Sequence, residues 1–290
     1  MNSAEDHTAH AMDEFERIAR EAMRMHDGAG SRIGYFAALY HGVTKSMIGP
    51  IRFQPGIPGP GEGPFFDDAV RLDAFVGIFA KRYFDAYEQR DTLEPSHPWK
   101  LHFDYCDNPH ATILQILTSG ANAHMVLDLP MAAIATAATS GTPIEELKGD
   151  FNRINQVLSW QIQACQQQVL DVSPVLKLVN RIPKLSAWLV RQLIGWARKL
   201  AWSNALTVAP DDPPLLGSAV SDAETEQELR DAVGDWARVI ARPPLPIHLV
   251  LRYLVAPFEK APVDEIIRHL MTVELSDDLL DELRHPTAFA

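Results

Sequence analysis

The sequence is poor in cysteine and in positive charge, and it lacks a long apolar run. Two cysteines among 290 residues are too few for a disulfide framework and are typical of a reducing compartment. The formal charge of −12 argues against general nucleic-acid binding, which needs a basic surface. No run approaches the roughly 18 apolar residues of a spanning helix, and the acidic N-terminus does not resemble a signal peptide. We therefore expect a soluble, cytoplasmic protein.

The chain also lacks alternating strand patterns, a fixed-period repeat, a phosphate-binding glycine motif and a nucleophile motif. Helical periodicity dominates instead and predicts an all-α fold of about 9–11 helices around a central helix at 110–128. We expect one domain with three parts, which are an N-terminal helix (1–30), a helical core (31–206) and a C-terminal helical subregion (207–290).

Helix ends and interruptions follow from local signals. Apolar spacing predicts early helices at 4–26, 32–48 and 65–90. The segment 49–64 has five prolines and five glycines and is predicted to be irregular, with a length that suits a lid. The stretch 91–109 is also predicted to be irregular. Two capping boxes, each a Thr or Ser followed three residues later by Glu, predict helices that begin at Thr142 and Ser221, the latter ending near Ala241.

The central helix carries two polar residues where apolar ones are expected. His124 and Asp128 continue the face formed by Ile113, Leu117 and Gly120. Their i, i+4 spacing puts both side chains on one face, where they can share a proton or a metal ion. A structural interpretation is about as probable. Pro130 follows closely, so Asp128 could only cap the next helix, with His124 as a core histidine bonded to it.

Asp73 is a third candidate. It shares a helix face with Gly77, Ala80 and Phe84, so it is expected to point inward, where a carboxylate needs a partner. His124 would satisfy it. The alternative places Asp73 at the solvent-exposed margin, near the favourable N-terminal end of its helix.

A metal site is a weaker alternative. His124 and Asp128 supply two ligands, and a hydrolytic zinc site needs at least one more. His102 and Asp104, in the preceding stretch, are the nearest candidates in the sequence. No cofactor is otherwise expected.

A basic segment reverses the overall charge. Residues 177–199 hold six Lys or Arg, and the wider span 172–210 holds no acid at all. This segment could bind an anionic membrane or an acidic partner, although pairing with acidic helices of the same chain is the more probable role. The oligomeric state is open.

The chain resembles the DUF5995 family of uncharacterised bacterial proteins. The resemblance covers about 31–206 and is carried by RLDAFVGIFAKRYFDAY (71–87), Trp99, NAHMVLDLPMA (122–132), DFNRIN (150–155) and ARKLAWSNA (197–205). It implies that the following residues act together: Asp73, Asn122, His124, Asp128, Asp150, Asn155 and Trp202. The His-x-x-x-Asp spacing before a proline is also similar to helical zinc phospholipases C and related nucleases, but the further ligands of that group are missing.

These patterns lead to three functional hypotheses. The first is a small-molecule enzyme of hydrolase, isomerase or cyclase type, with secondary metabolism as a candidate setting, in which His124, Asp128 and Asp73 perform acid–base catalysis. Its substrate-binding residues would be Asn122, Tyr83, Trp99, Asn155 and Trp202. The second is a non-catalytic ligand-binding or interaction protein. The third is a metal-dependent hydrolase that uses His124 and Asp128.

Overall fold

The computed structural model describes residues 6–52, 66–154, 203–206 and 223–272. These residues are helical and contain no β-strand, which confirms the predicted all-α class. The main helices are α1 (His7–Arg24), α2 (Gly34–Arg52), α3 (Ala69–Glu88), α4 (Pro98–Cys106), α5 (Ile113–Asn122), α6 (Leu129–Ser140), α7 (Ala223–Ala241), α8 (Leu245–Val250) and α9 (Val263–Met271).

The first three helices lie close to their predicted positions. On α1 the expected core face is buried, with Phe15, Ile18 and Ala22 at most 1% exposed. Helix α2 packs closely against α1 and α9 at Gly34. A Cβ at this position would lie 2.6 Å from the Cβ of Ala22 on α1 and 2.7 Å from Ile267 on α9. Asp68 caps α3 by accepting a hydrogen bond from the backbone N–H of Arg71 at 2.9 Å.

Two stretches predicted to be irregular are partly helical. Helix α4 occupies much of 91–109, with His97 as its N-cap and Pro98 in its first turn. Its buried Trp99, His102 and Phe103 pack into the core, so tertiary packing outweighs weak local signals. Helix α2 runs through Pro50 to Arg52, so the first four residues of the segment 49–64, which was predicted to be irregular, are helical.

A π-helical segment joins α5 to α6. It covers Ala123–Asp128 and therefore contains both polar residues of the predicted site. Pro130, in the first turn of α6, cannot donate to the carbonyl of Val126, and its ring would crowd that carbonyl in a regular α-helix. The wider π turn relieves this crowding. Such turns are rare and often occur at functional sites.

The π segment lies where two hydrophobic clusters meet. The first cluster contains residues of α1, α2, α4 and α5 and reaches Ala123. The second contains residues of α3 and α6 and begins on this helix at Val126. His124 and Met125 fall between them, so the candidate site lies at the junction of the two clusters.

Helix α7 in the C-terminal part ends at Ala241, as the sequence predicts. No single described helix is long and apolar enough to cross a membrane. The pair Glu226–Ala241 and Leu245–Phe258, bent by 53°, meets that criterion together by length and composition only.

Several predictions concern residues outside the described ranges. They are the lid beyond Arg52, the basic segment 177–199, Asn155 and Trp202.

Candidate functional site

His124 and Asp128 form a hydrogen-bonded pair in the protein interior. The imidazole Nδ1 lies 3.0 Å from Asp128 Oδ2, and the two residues are 0% and 2% exposed. A carboxylate only accepts, so Nδ1 carries the proton and donates it. The predicted pairing of these residues is present.

Asp128 has two further partners from other helices. The indole Nε1 of Trp99 on α4 donates to Oδ2 at 2.9 Å, and Arg82 Nε on α3 lies 3.3 Å from Oδ1. Asp128 makes no side-chain capping bond to α6. The alternative that it serves only as a helix cap is therefore wrong, because its carboxylate instead ties together α3, α4 and the π segment.

Burial keeps His124 neutral. Removal from water lowers its pKa below 6.5, and this effect exceeds the opposite influence of the Asp128 hydrogen bond; the Arg82 cation lowers it further. With Nδ1 protonated, Nε2 holds the lone pair. Nε2 is buried and has no hydrogen-bond partner among the described residues. A buried basic nitrogen without a partner is costly in a purely structural role.

Aromatic rings enclose this imidazole. The Phe79 ring stacks on it with centroids 3.7 Å apart and planes 14° apart. Tyr40 and Phe36 meet it edge to face at 4.7 and 5.5 Å. These rings account for the low polarity around His124 and so for its lowered pKa.

A cavity of about 50 Å³ adjoins the pair, with His124 on its wall. It exceeds the roughly 10–15 Å³ that a single water needs. Its polar lining residues are His124, Tyr40 and Thr44, and the rest of the described lining is apolar, including Phe15, Val43, Met47, Phe75, Met125 and Leu129. Since His124 is fully covered, a ligand reaches Nε2 only when a neighbour such as Phe79 moves.

Asp73 lies in a different environment from the one predicted. Its Oδ1 accepts hydrogen bonds from the backbone N–H of Thr8 at 2.9 Å and from its hydroxyl at 2.5 Å, and its Oδ2 accepts from His7 N–H at 3.0 Å. These bonds cap the N-terminus of α1. The predicted pairing of Asp73 with His124 is therefore wrong, because the face of α3 that carries Asp73 and Gly77 contacts α1.

Asp150 forms a second buried polar cluster. Its two oxygens accept from the backbone N–H groups of Asp67 at 2.7 Å and Asp68 at 3.1 Å, and Arg153 binds it at 2.9 Å. This carboxylate is 1% exposed and holds the residues that precede α3. Among the described residues of the group that the family resemblance links, Asp73 and Asp150 thus lie apart from the His124–Asp128 pair.

The described substrate-binding candidates are structural neighbours of the pair. Trp99 binds Asp128, and Tyr83 is completely buried with its ring centroid 6.4 Å from that of His124. Asn122 Nδ2 donates to the carbonyl of Val233 at 3.0 Å and so fastens α5 to α7.

The four candidate metal ligands do not form one cluster. His102 Nδ1 lies 2.7 Å from Ser119 Oγ, and its Nε2 lies 3.8 Å from Cys106 Sγ. Asp104 is paired with Lys100 on the surface of α4. Within the described ranges, no three His, Cys, Asp or Glu side chains are placed to hold a metal ion.

Sequence reasoning missed Arg82 and Phe79 as members of the site. Both lie on α3 on the face that also presents Phe75, at spacings of four and three residues. That spacing identifies one helix face, but nothing in it shows that this face meets the π segment.

The model of a family of unknown function, DUF5995, matches residues 8–243. The chain belongs to the DUF5995 family. The match includes all but the first residue of α1 and the whole of α7, so it extends beyond the 31–206 expected from the sequence motifs. No curated protein and no solved structure matches the chain.

Proposed function

We propose that this DUF5995 member is a small-molecule enzyme in which His124 acts as a general base. The observation that carries the proposal is a neutral, buried imidazole whose Nε2 has no described partner and which lies on a cavity wall. A buried group with a perturbed pKa beside a cavity is typical of catalytic sites.

Asp128 is assigned the role of a positioning residue. Its bond to Nδ1 selects the tautomer that has its lone pair on Nε2, and its negative charge stabilises the imidazolium that forms when Nε2 takes a proton. Trp99 and Arg82 hold this carboxylate in place. General-base catalysis of this kind contributes roughly 10²- to 10⁴-fold to a rate.

The substrate is expected to be small and largely apolar around its reacting atom. The cavity wall offers three polar side chains, and Met47 and Met125 can adapt to different shapes. Isomerisation, cyclisation and hydrolysis all include a step in which a base removes a proton, so each is compatible with this site. The proposal needs no cofactor, and the free, buried Cys106 suits a reducing, cytoplasmic setting.

Proton removal can be tested before the natural substrate is known. A panel of small apolar ketones and esters is incubated with the protein in D₂O, and NMR follows deuterium uptake next to the carbonyl and ester cleavage. We expect turnover with at least one compound and a loss of about 10²-fold or more in His124→Gln.

The matched control is His102→Gln, which alters a second buried imidazole that has both nitrogens engaged. It should retain the rate within a few-fold when folded. Turnover that persists in His124→Gln would contradict the proposed base.

A non-catalytic ligand-binding protein is the second candidate. It is favoured by the complete burial of His124, since none of its ring is accessible to solvent. The same NMR panel separates the candidates, because compounds that bind with line broadening but never exchange or cleave would support binding alone.

A further inference from the structure

A short apolar segment near the C-terminus is poorly covered by the rest of the described protein. We call residues 245–258 the apolar arm; it comprises α8, a π-helical stretch (Leu251–Val255) and a 3₁₀ turn (Ala256–Phe258). Leu245 is 70% exposed, Tyr253 62% and Leu254 59%, whereas only Val255 in the arm is buried. A helix that is apolar on all sides normally has an apolar environment.

Both ends of the arm are fixed at one place on the domain. Gln115 Nε2 donates to the carbonyl of Ile240 at 3.0 Å, just before the arm. The carboxylate of Glu259, just after it, accepts from the backbone N–H of Ile113 at 2.8 Å. Because these anchors both lie in the first turn of α5, the chain leaves and returns at the same point.

The charges of this region are all positive. Residues 236–258 contain three arginines and one histidine and no Asp or Glu, in a chain of net charge −12. Arg242 is exposed three residues before the arm. Arg252 lies within the arm, with its guanidinium carbon 5.7 Å from the Tyr253 ring centre. Trp236, 54% exposed on α7, adds a second aromatic ring. Apolar, aromatic and cationic side chains together match the interface of an anionic bilayer.

We propose that the apolar arm binds the surface of an anionic lipid membrane. Arginine side chains contact the lipid headgroups while the exposed leucines and aromatic rings enter the headgroup–acyl boundary. At 1.5 Å per residue the arm measures about 21 Å, which is shorter than a hydrocarbon core of about 30 Å. The arm therefore lies in the interface. This proposal is independent of the catalytic role of His124.

Vesicle co-sedimentation of the full chain tests the proposal. Vesicles of phosphatidylcholine alone are compared with vesicles that also contain phosphatidylglycerol. We expect clear binding to the anionic vesicles and weaker binding at high salt. Leu254→Asp should weaken binding by about 10- to 100-fold, since it removes one apolar side chain that enters the membrane. Arg242→Gln should weaken it by about fivefold.

The matched control is Val70→Asp, which places the same charge on another apolar side chain, 75% exposed at the start of α3. It should bind like the wild type. Absence of binding to anionic vesicles, or unchanged binding in Leu254→Asp, overturns the proposal. A dimer in sedimentation velocity that Leu254→Asp dissociates also overturns it, because the arm would then contact a second copy of the chain.

Discussion

Two histidines lie in the same core, and they differ in what their second nitrogen meets. His102 is 1% exposed and His124 is 0% exposed, and burial lowers the pKa of both, that of His102 to about 3. Both nitrogens of His102 are engaged, by Ser119 and Cys106. His124 has one nitrogen bound to Asp128, the other without a described partner, and a cavity beside it.

The comparison shows that burial and a lowered pKa do not identify a functional histidine on their own. A satisfied imidazole such as His102 packs as a core residue, and its hydrogen bonds offset its desolvation. An imidazole whose second nitrogen has no hydrogen-bond partner lowers the stability of the folded protein, and that nitrogen can accept a proton from a ligand. The four predictions below test this difference, from the largest effect to the smallest.

Asp128→Ala should lower the free energy of unfolding by about 3–5 kcal/mol. The change leaves the donors of His124 and Trp99 without an acceptor in the interior and removes the partner of Arg82. Urea denaturation measures the effect. Asp104→Ala, at an acid 58% exposed and paired with Lys100, should cost about 0.5 kcal/mol or less. Equal losses in both variants would show that the Asp128 network contributes little.

Acidification from about pH 7.5 to about pH 5.0 should destabilise the protein by roughly 2 kcal/mol through His102, and His124 should add a loss in the same direction. Their pKa values are lowered in the folded state, so as pH falls below about 6.5 the unfolded chain binds protons that the folded protein does not. Stability is therefore highest above that pH and declines below it. Urea midpoints at both pH values measure this loss.

His102→Gln and His124→Gln should each reduce the pH dependence, since burial lowers the pKa of both residues. A variant that keeps the full dependence would show that its imidazole has the same pKa in the folded and the unfolded protein.

Gly120→Ala should cost about 1–3 kcal/mol, because the new methyl group would overlap the Phe36 ring and lie 3.1 Å from His102 Cε1. Phe36 meets both imidazoles, at 5.9 and 5.5 Å, so NMR signals of both rings should shift. Gly141→Ala is the control. Its φ of +64° makes alanine strained by about 1 kcal/mol, but nothing lies within 4 Å, so neither imidazole signal should move.

Asp73→Ala should cost about 0.5–2 kcal/mol through loss of the cap on α1. The imidazole signals of His124 should remain unchanged, since Asp73 bonds to His7 and Thr8. Thermal unfolding and NMR measure the two effects. A large shift of the His124 NMR signals would instead show that Asp73 interacts with His124, as the sequence predicted.

Periodicity was sufficient to predict most helices and the His124–Asp128 pair, because these depend on spacing along one helix. Longer-range facts could not be derived in this way. The sequence left open whether Asp73 points inward or lies at the solvent-exposed margin, and it did not indicate that α1 is its partner. Arg82 and Trp99 reach Asp128 from two other helices, and single-chain periodicity does not show which faces meet.

Local motifs were also ambiguous. The capping box predicted at Thr142 is absent, since the residues that follow form a 3₁₀ turn (Ile144–Leu147) without a side-chain cap. A capping box does occur at Thr112 and Gln115, where α5 begins. The same four-residue pattern fits both places, and only the second forms the capping hydrogen bonds.

The π segment also changes the phase of the helix in which it lies. One residue more per turn rotates everything after it by about 100° relative to a regular helix. The residues before Ala123 therefore face the first cluster, and those after Val126 face the second, without a break in the chain. Deleting one residue between these positions would turn Asp128 and α6 away from their partners. The length of this segment is therefore a structural constraint in its own right.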